Sequence, residues 1–430
     1  MPSTYAGPVH IHHSWRRPVV WAAIPLVLGA ARAIDSLGIA LPQIRGEYRV
    51  NLHELQWVGL SFLLAQAVIL VVAGRVGDRV GRRPVFMVGL AVVALGSAVA
   101  AAAPANGWLV SARIIEGVGA GILVSGSFAI VRDNVSTEML GQAFGLWAMV
   151  AGIGGWLVGP LVYGALTNYA SWRWVMVLHA SLALVALVLT PQFIPGGRPS
   201  TIFRPSFRRL LRGRNYVIAT LTIAPLFTIL SLLWFTMIIF LFTVHALTPL
   251  EIGLVALAYG IPYALLPVAT GRLADRIGVR RPLLVGFGLI FSSMVVLSIA
   301  AEGRDLLVTI VAVAVTGAGV AFVTPALNGW AFRLIHIEDR SDASGLNFAM
   351  RLIGSAIGVV IATIMLESIS NTSKPTFGVV AGYDVAAAWI WAVAAGVSLI
   401  AMVVVLVGVR TPGGHQGPGG CPKSDCRCCD

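Results

Sequence analysis

Twelve long apolar runs decide what this chain can fold into. They fall roughly at 18–41, 55–73, 84–103, 108–131, 141–165, 173–194, 215–243, 250–270, 282–300, 305–332, 343–366 and 383–409. A helix needs about 20 residues to cross about 30 Å of hydrocarbon, whereas a barrel strand needs only about ten. Lipid tolerates only helices and closed barrels, because nothing else satisfies every backbone N–H and C=O internally. Runs of this length therefore read as helices. With 57% of its 430 residues hydrophobic and 11% charged, the chain carries more apolar surface than a soluble domain can use. The expected fold is an all-α integral membrane protein with twelve transmembrane helices.

The formal net charge of +12 does not point to nucleic acid, because the basic residues lie in the short loops between runs. One set of loops carries Arg16, Arg17, two arginine-rich turns, Arg132, the 198–214 segment, Arg333, Arg340 and the tail, 22 of the 30 basic residues. The opposite loops carry Arg45, Arg49, Arg173, Arg304 and Lys374. By the positive-inside rule the first set is cytoplasmic. The number of runs is even, so both termini are expected there, with the protein multi-pass in the plasma membrane. The first run follows "HHSWRRP" and is too long for the core of a cleavable signal.

The chain divides in two. Its longest interior loop, "GGRPSTIFRPSFRRLLRGRN", follows the sixth run. This gives an N-terminal tail over 1–17, a six-helix bundle over 18–194, a basic linker over 195–214, a second six-helix bundle over 215–410 and a Gly/Pro-rich tail over 411–430. The same charged turn follows the second run of each half: "GRVGDRVGRRP" at 74–84 and "GRLADRIGVRRP" at 271–282. Such a recurrence indicates two parallel repeats related by an axis along the membrane normal. A topological stop signal accounts for the arginines but not for Asp78 and Asp275 at matching positions. A gate on the cytoplasmic face accounts for both.

Here the sequence resembles a known family. Gly74, Asp78, Arg79, Gly81 and Arg82 fall on the key positions of the loop signature of the major facilitator superfamily, and Gly271, Asp275, Arg276 and Gly278 repeat it. "RIIEGVGAG" is similar to that family's R-x-x-Q-G-x-G motif at Arg113, Gly117 and Gly119, with Glu116 in the glutamine position. "GWLVGPLVYG" resembles its antiporter motif at Gly155, Gly159, Pro160 and Gly164, with Tyr163 replacing a glycine. "ALPQI" at 40–44 and "SWRW" at 171–174 are similar to the drug:proton antiporter branch, usually built with fourteen spans. The resemblance implies two six-helix bundles that rock about a central cavity. Independently of it, small residues four apart and Pro160 between them predict close helix packing and a kink in the fifth run.

Ionisable residues inside spans are the first place to look for function. Asp35 and Glu116 are the only acids deep in the runs; of the lysines and arginines, only Arg32, Arg113 and Arg351 lie there. Arg32 and Asp35, like Arg113 and Glu116, are spaced so that each pair shares a helix face. A 1.5 Å rise per residue puts all four at one depth. They are expected to form a neutral cluster that couples protons to transport, with Asp35 the leading carrier and Glu116→Gln the milder change. A static set of ion bridges is the alternative. His179 reads as a proton relay or a packed histidine, and Arg351 as facing the cavity or reaching to the surface. Trp57, Trp147, Trp156, Trp234 and Tyr259 are candidates to line an apolar pocket, of which one or two are expected to do so.

All four cysteines lie in the last ten residues. Together with "HIHH" at 10–13 they match no closed zinc site, and no metal or other cofactor is expected. There is no phosphate-binding loop of the Walker type, which argues against a built-in ATPase. The chain is therefore expected not to be an enzyme. It reads as a monomeric secondary transporter whose partners are a small-molecule substrate, protons and the bilayer. Proton-coupled export of lipophilic or cationic compounds fits best. A symporter or metabolite exporter on the same fold, or a receptor that binds without transporting, would share most of these features.

Overall fold

The computed structural model describes residues 34–134, 153–193, 214–333 and 340–409. After a short 3-10 turn at Ile34–Ala40 the helices are α1 (Leu41–Tyr48), α2 (Leu52–Val80), α3 (Arg82–Ala101) and α4 (Asn106–Asn134). A π-helical segment, Ile153–Val158, leads into α5 (Gly159–Tyr169), followed by α6 (Trp172–Phe193) and α7 (Arg214–Thr243). The second half continues with α8 (Pro249–Leu265), α9 (Pro267–Ile277), α10 (Arg280–Gly303), α11 (Leu306–Arg333) and the helical run α12 (Arg340–Gly408). Among the described residues nine helices are long and apolar enough to cross a membrane, and the bent pair α8 and α9 makes a tenth. The first run before Ile34 and the start of the fifth lie outside the described residues, as do both tails and the basic linker up to residue 213.

Local chemistry explains the breaks. Asn51 and Glu54 form a reciprocal cap that starts α2, and Thr248 and Glu251 do the same for α8. The bend of 42° between α8 and α9 falls at Leu266, between Pro262 and Pro267, each of which lacks the N–H that would continue the ladder. α12 holds two spans, Gly345–Ser370 and Gly382–Gly408. A straight helix would separate Ser370 from Gly382 by about 18 Å. A Cβ on Gly382 would instead stand 2.8 Å from the Ser370 carbonyl oxygen, so the run doubles back on itself.

The helices pack in two groups. In the first half α4 lies against both α2 and α3, and α3 against α6; in the second, α12 lies against α7 and α10, and α10 against α11. Large apolar side chains such as Val68, Val188, Leu265, Ile299 and Leu307 point outward, as lipid-facing residues do. The halves meet through α2 against α12 and through the fifth span against α8. The contacts that join them at the end away from the arginine turns include a hydrogen bond from the His53 amide to Glu367 Oε1 at 2.8 Å and one from Arg45 to the Tyr383 hydroxyl at 3.3 Å.

Candidate functional site

The sequence motif on α4 sets the geometry of the site. A Cβ on Gly117 would stand 2.4 Å from the Phe62 carbonyl of α2, and one on Gly119 would stand 2.7 Å from the Val93 amide of α3. Only glycine permits that approach, and it brings three backbones together around the side chains one turn further along. Arg113 and Glu116 project there, both buried, and pair at 2.7 Å. Arg113 Nε donates to the Val58 carbonyl at 3.1 Å, and its guanidinium lies 4.2 Å from the centre of the Phe62 ring.

Glu116 has further partners on two more helices. Ser97 of α3 donates to its Oε1 at 2.6 Å, and His179 Nδ1 of α6 lies 3.3 Å from the same oxygen. The other ring nitrogen of His179, Nε2, lies 2.8 Å from the hydroxyl of Tyr163 on α5. Carboxylate, imidazole and phenol thus form one buried chain, with a guanidinium at its head. A buried charge without partners is costly, and here every ionisable member has at least one. Chemically the chain can accept a proton, pass it between carboxylate and imidazole, and trade the ion pair for a neutral hydrogen bond.

The pairing of Arg113 with Glu116 follows the sequence expectation. Arg32 and the side chain of Asp35 lie outside the described residues, as does Trp147. Sequence reasoning missed Ser97 and the role of Tyr163, which it registered only as a departure from a glycine motif.

The same fifth span touches the other half. A Cβ on Gly164 would meet the Pro249 carbonyl at 2.6 Å; on Gly253, the Pro160 carbonyl at 2.5 Å; on Gly260, the Trp156 carbonyl at 2.3 Å. Backbone therefore rides on backbone along the seam between α5 and α8. Gly155 and Gly159 are buried beside it. The motif is not a simple proline kink: the π-helical Ile153–Val158 joins α5 immediately before Pro160. At the centre of the seam Trp156, Trp234, Tyr259 and Tyr263 form a cluster of rings.

The arginine turns are alike in both halves. Gly81 has φ of 106° and Gly278 of 83°, the left-handed region that favours glycine. Asp78 pairs with Arg82 across the first turn at 2.9 Å. A Cβ on Gly74 would touch Ser125 Oγ at 3.1 Å, whereas one on Gly77 would meet nothing. Arg79 is exposed, as is Arg276. Arg351 of α12 is held by the side-chain oxygens of Asn347, at 3.1 Å, and Asn328, at 2.7 Å, with the Phe227 and Phe348 rings beneath it.

Two fragments far apart in sequence meet at the end away from the turns. Gln43 of "ALPQI" accepts from the Trp172 amide of "SWRW" at 2.8 Å, and Trp172 Nε1 donates to Glu47 at 2.7 Å. Arg173 caps the group by pairing with Glu47. Burial pushes the Tyr48 phenol beside them up from its ordinary range, with Arg173 opposing. A cavity of about 420 Å³ opens nearby between Arg45, Arg49, Leu52, Ile239 and Phe242.

With this geometry in view, the family model described as "Major Facilitator Superfamily" matches the chain twice, over residues 23–246 and 219–422. The chain belongs to the Major Facilitator Superfamily. The two matched segments overlap over 219–246 and together cover residues 23–422 of this superfamily member. It is 26% identical over 403 residues to the "Multidrug resistance protein Stp" of Mycobacterium tuberculosis, an alignment covering 80% of this chain and 75% of that one. It is 32% identical over 190 residues to the "Uncharacterized MFS-type transporter Rv1250" of the same organism, covering 44% of this chain but only 32% of that protein's length. Among solved structures, a bacterial homologue of the human lysosomal transporter Spinster superposes with a TM-score of 0.72 at 14% identity, over 91% of this chain and 96% of that one. The protein is accordingly a multi-pass membrane protein of a transporter family.

Proposed function

We propose that the protein is a secondary active transporter that exports small lipophilic or cationic compounds in exchange for protons, by alternating access. It would act as a monomer in the plasma membrane with both termini in the cytoplasm. The observation that carries this reading is the buried chain Arg113–Glu116–His179–Tyr163, a connected set of ionisable groups inside a membrane bundle. The likeness to a multidrug resistance protein supports the substrate class.

A proton reaching Glu116 would cancel its charge and free Arg113, leaving the guanidinium to the Val58 carbonyl and the Phe62 ring. His179 would relay the proton between Glu116 and Tyr163. Tyr163 and Gly164 are neighbours on α5, one reaching His179 and the other touching Pro249 of the second half. Protonation would in this way bear directly on the seam between the halves. Gly155, Gly159 and Pro160 would let that seam slide. The turns carrying Gly74, Asp78, Arg79, Gly81 and Arg82, and Gly271, Asp275, Arg276 and Gly278, would act as the gate on the cytoplasmic face. Asp35 and Arg32 stay in the proposal as members of the cluster alongside Glu116 and Arg113.

The test is ethidium uptake into proteoliposomes under an imposed pH gradient. The protein should accumulate the dye against its gradient. Glu116→Gln should bind it in detergent without accumulating it. Undiminished accumulation in Glu116→Gln and Asp35→Asn alike would overturn proton coupling through this cluster.

A further inference from the structure

Trp156 belongs to the first half but sits in a cradle built by the second. Its ring centroid lies 5.3 Å from that of Trp234 on α7, 5.0 Å from Tyr259 and 6.4 Å from Tyr263, both on α8. Trp234 and Tyr259 meet edge to face at 5.2 Å, and Tyr259 stacks on Tyr263 at 5.6 Å. All five spacings fall in the range where aromatic rings attract one another. The π-helical turn that presents Trp156 is a rare geometry that recurs at functional positions.

The cradle has a polar demand that its occupant does not meet. Trp234 Nε1 and the Tyr259 hydroxyl are both buried without a hydrogen-bond partner among the described residues. Leaving a buried donor unpaired is costly, so such groups call for an explanation. Trp156 cannot supply the missing acceptor, because the only polar atom of an indole is itself a donor. The cradle therefore has the shape for a flat ring system and the hydrogen-bonding pattern for an acceptor, and Trp156 satisfies only the first.

We infer that Trp156 is a built-in occupant of a site for planar aromatic compounds that bear a hydrogen-bond acceptor such as a ring carbonyl. The inference rests on the export reading above and names the substrate class within it. When the halves part along the seam, Trp156 leaves with α5 while Trp234, Tyr259 and Tyr263 stay with the second half. A flat substrate then takes the vacated place and gives Trp234 Nε1 and the Tyr259 hydroxyl the acceptor they lack. Return of Trp156 displaces it.

Equilibrium binding to the purified full-length protein in detergent tests this without any proton gradient. Acridone, a planar tricycle with a ring carbonyl and a ring N–H, and anthracene, a planar tricycle with no polar atom, both report by fluorescence polarisation. The protein should prefer acridone. Tyr259→Phe keeps the ring and removes its donor; it should weaken acridone about three- to tenfold, the worth of one hydrogen bond, and leave anthracene unchanged, while Trp234→Phe, which also trims the fused ring, should weaken acridone more than anthracene. Trp156→Ala should tighten both probes several-fold, because it removes the competitor. Weaker or unchanged acridone binding in Trp156→Ala would overturn the inference. So would equal changes for the two probes in the phenylalanine variants, which decide the matter if Trp156→Ala does not fold. If these results hold while gradient-driven export fails, the site stands and the transport reading falls.

Discussion

The two halves use the same crossing of helices for different chemistry. In the first, Gly117 of α4 abuts the Phe62 carbonyl and Gly119 abuts α3; in the second, Gly317 of α11 abuts the Tyr259 carbonyl and Gly319 abuts the Gly286 carbonyl of α10. Beside the first crossing stand Arg113 and Glu116, while Thr316 occupies the matching turn of α11 and shares a 2.8 Å hydrogen bond with Ser293. Phe62 underlies the Arg113 guanidinium, whereas Tyr259 belongs to the aromatic cradle. One scaffold thus holds a buried ion pair in one half and an uncharged cluster of rings in the other. A duplicated fold fixes where side chains point and leaves open what they carry.

Stability should separate the halves most sharply. Glu116→Ala strands the Arg113 charge and should cost about 3–5 kcal/mol, because breaking a buried pair leaves an uncompensated ion. Thr316→Ala removes two neutral hydrogen bonds, to Ser293 and to the Ala312 carbonyl, and should cost about 1–2 kcal/mol. Denaturation in mixed detergent measures both; equal losses would erase the contrast drawn here. Next in size comes the seam. Gly260→Ala places a methyl 2.3 Å from the Trp156 carbonyl, where backbone cannot yield by a rotamer change. About 1–3 kcal/mol of overpacking should push the halves apart. The readout is a disulfide engineered between His53→Cys and Glu367→Cys, whose yield should fall.

Tyr163→Phe sharpens the comparison without charge. It deletes the hydroxyl that meets His179 and leaves Gly164 on the seam. Ethidium binding should persist while the pH dependence of its export flattens, and an unaltered export profile would remove Tyr163 from the relay. The smallest structural effect is expected at the turns. Asp78→Asn breaks a partly exposed pair with Arg82 and should change stability by under about 0.5 kcal/mol. Under the gate reading it nonetheless slows export, and Asp275→Asn does so less. Normal rates in both and in the double variant would leave the turns a purely topological role.

The helices were legible because length and apolarity alone determine them in lipid. So was the Arg113–Glu116 pair, because a spacing of three on a helix is a geometric fact. His179 was legible as a candidate relay, but its partners were hidden for a physical reason: Ser97, His179 and Tyr163 come from three other helices, and no local pattern in "LGSAVA", "VLHASL" or "LVYGAL" reports which face turns toward α4. Tyr163 looked like a lapse from a glycine motif, yet its hydroxyl is what reaches the imidazole. Trp156 and Tyr259 were both among the apolar candidates, but their contact across the seam depends on a π turn that no sequence period announces. The shared turns were legible as a repeat; which of their arginines pairs with Asp78, namely Arg82 four residues on, is read only from the structure.

The neutrality of the Arg113–Glu116 pair has an electrical consequence. A pair of opposite charges that moves together does no net work against a transmembrane voltage, whereas a single elementary charge exchanges about 2.3 kcal/mol per 100 mV. With the proton absent, the pair would add no charge to the stroke, and voltage would act there only on a charged substrate. With the proton bound, the pair would add one excess charge, and voltage would act on that stroke whatever the substrate.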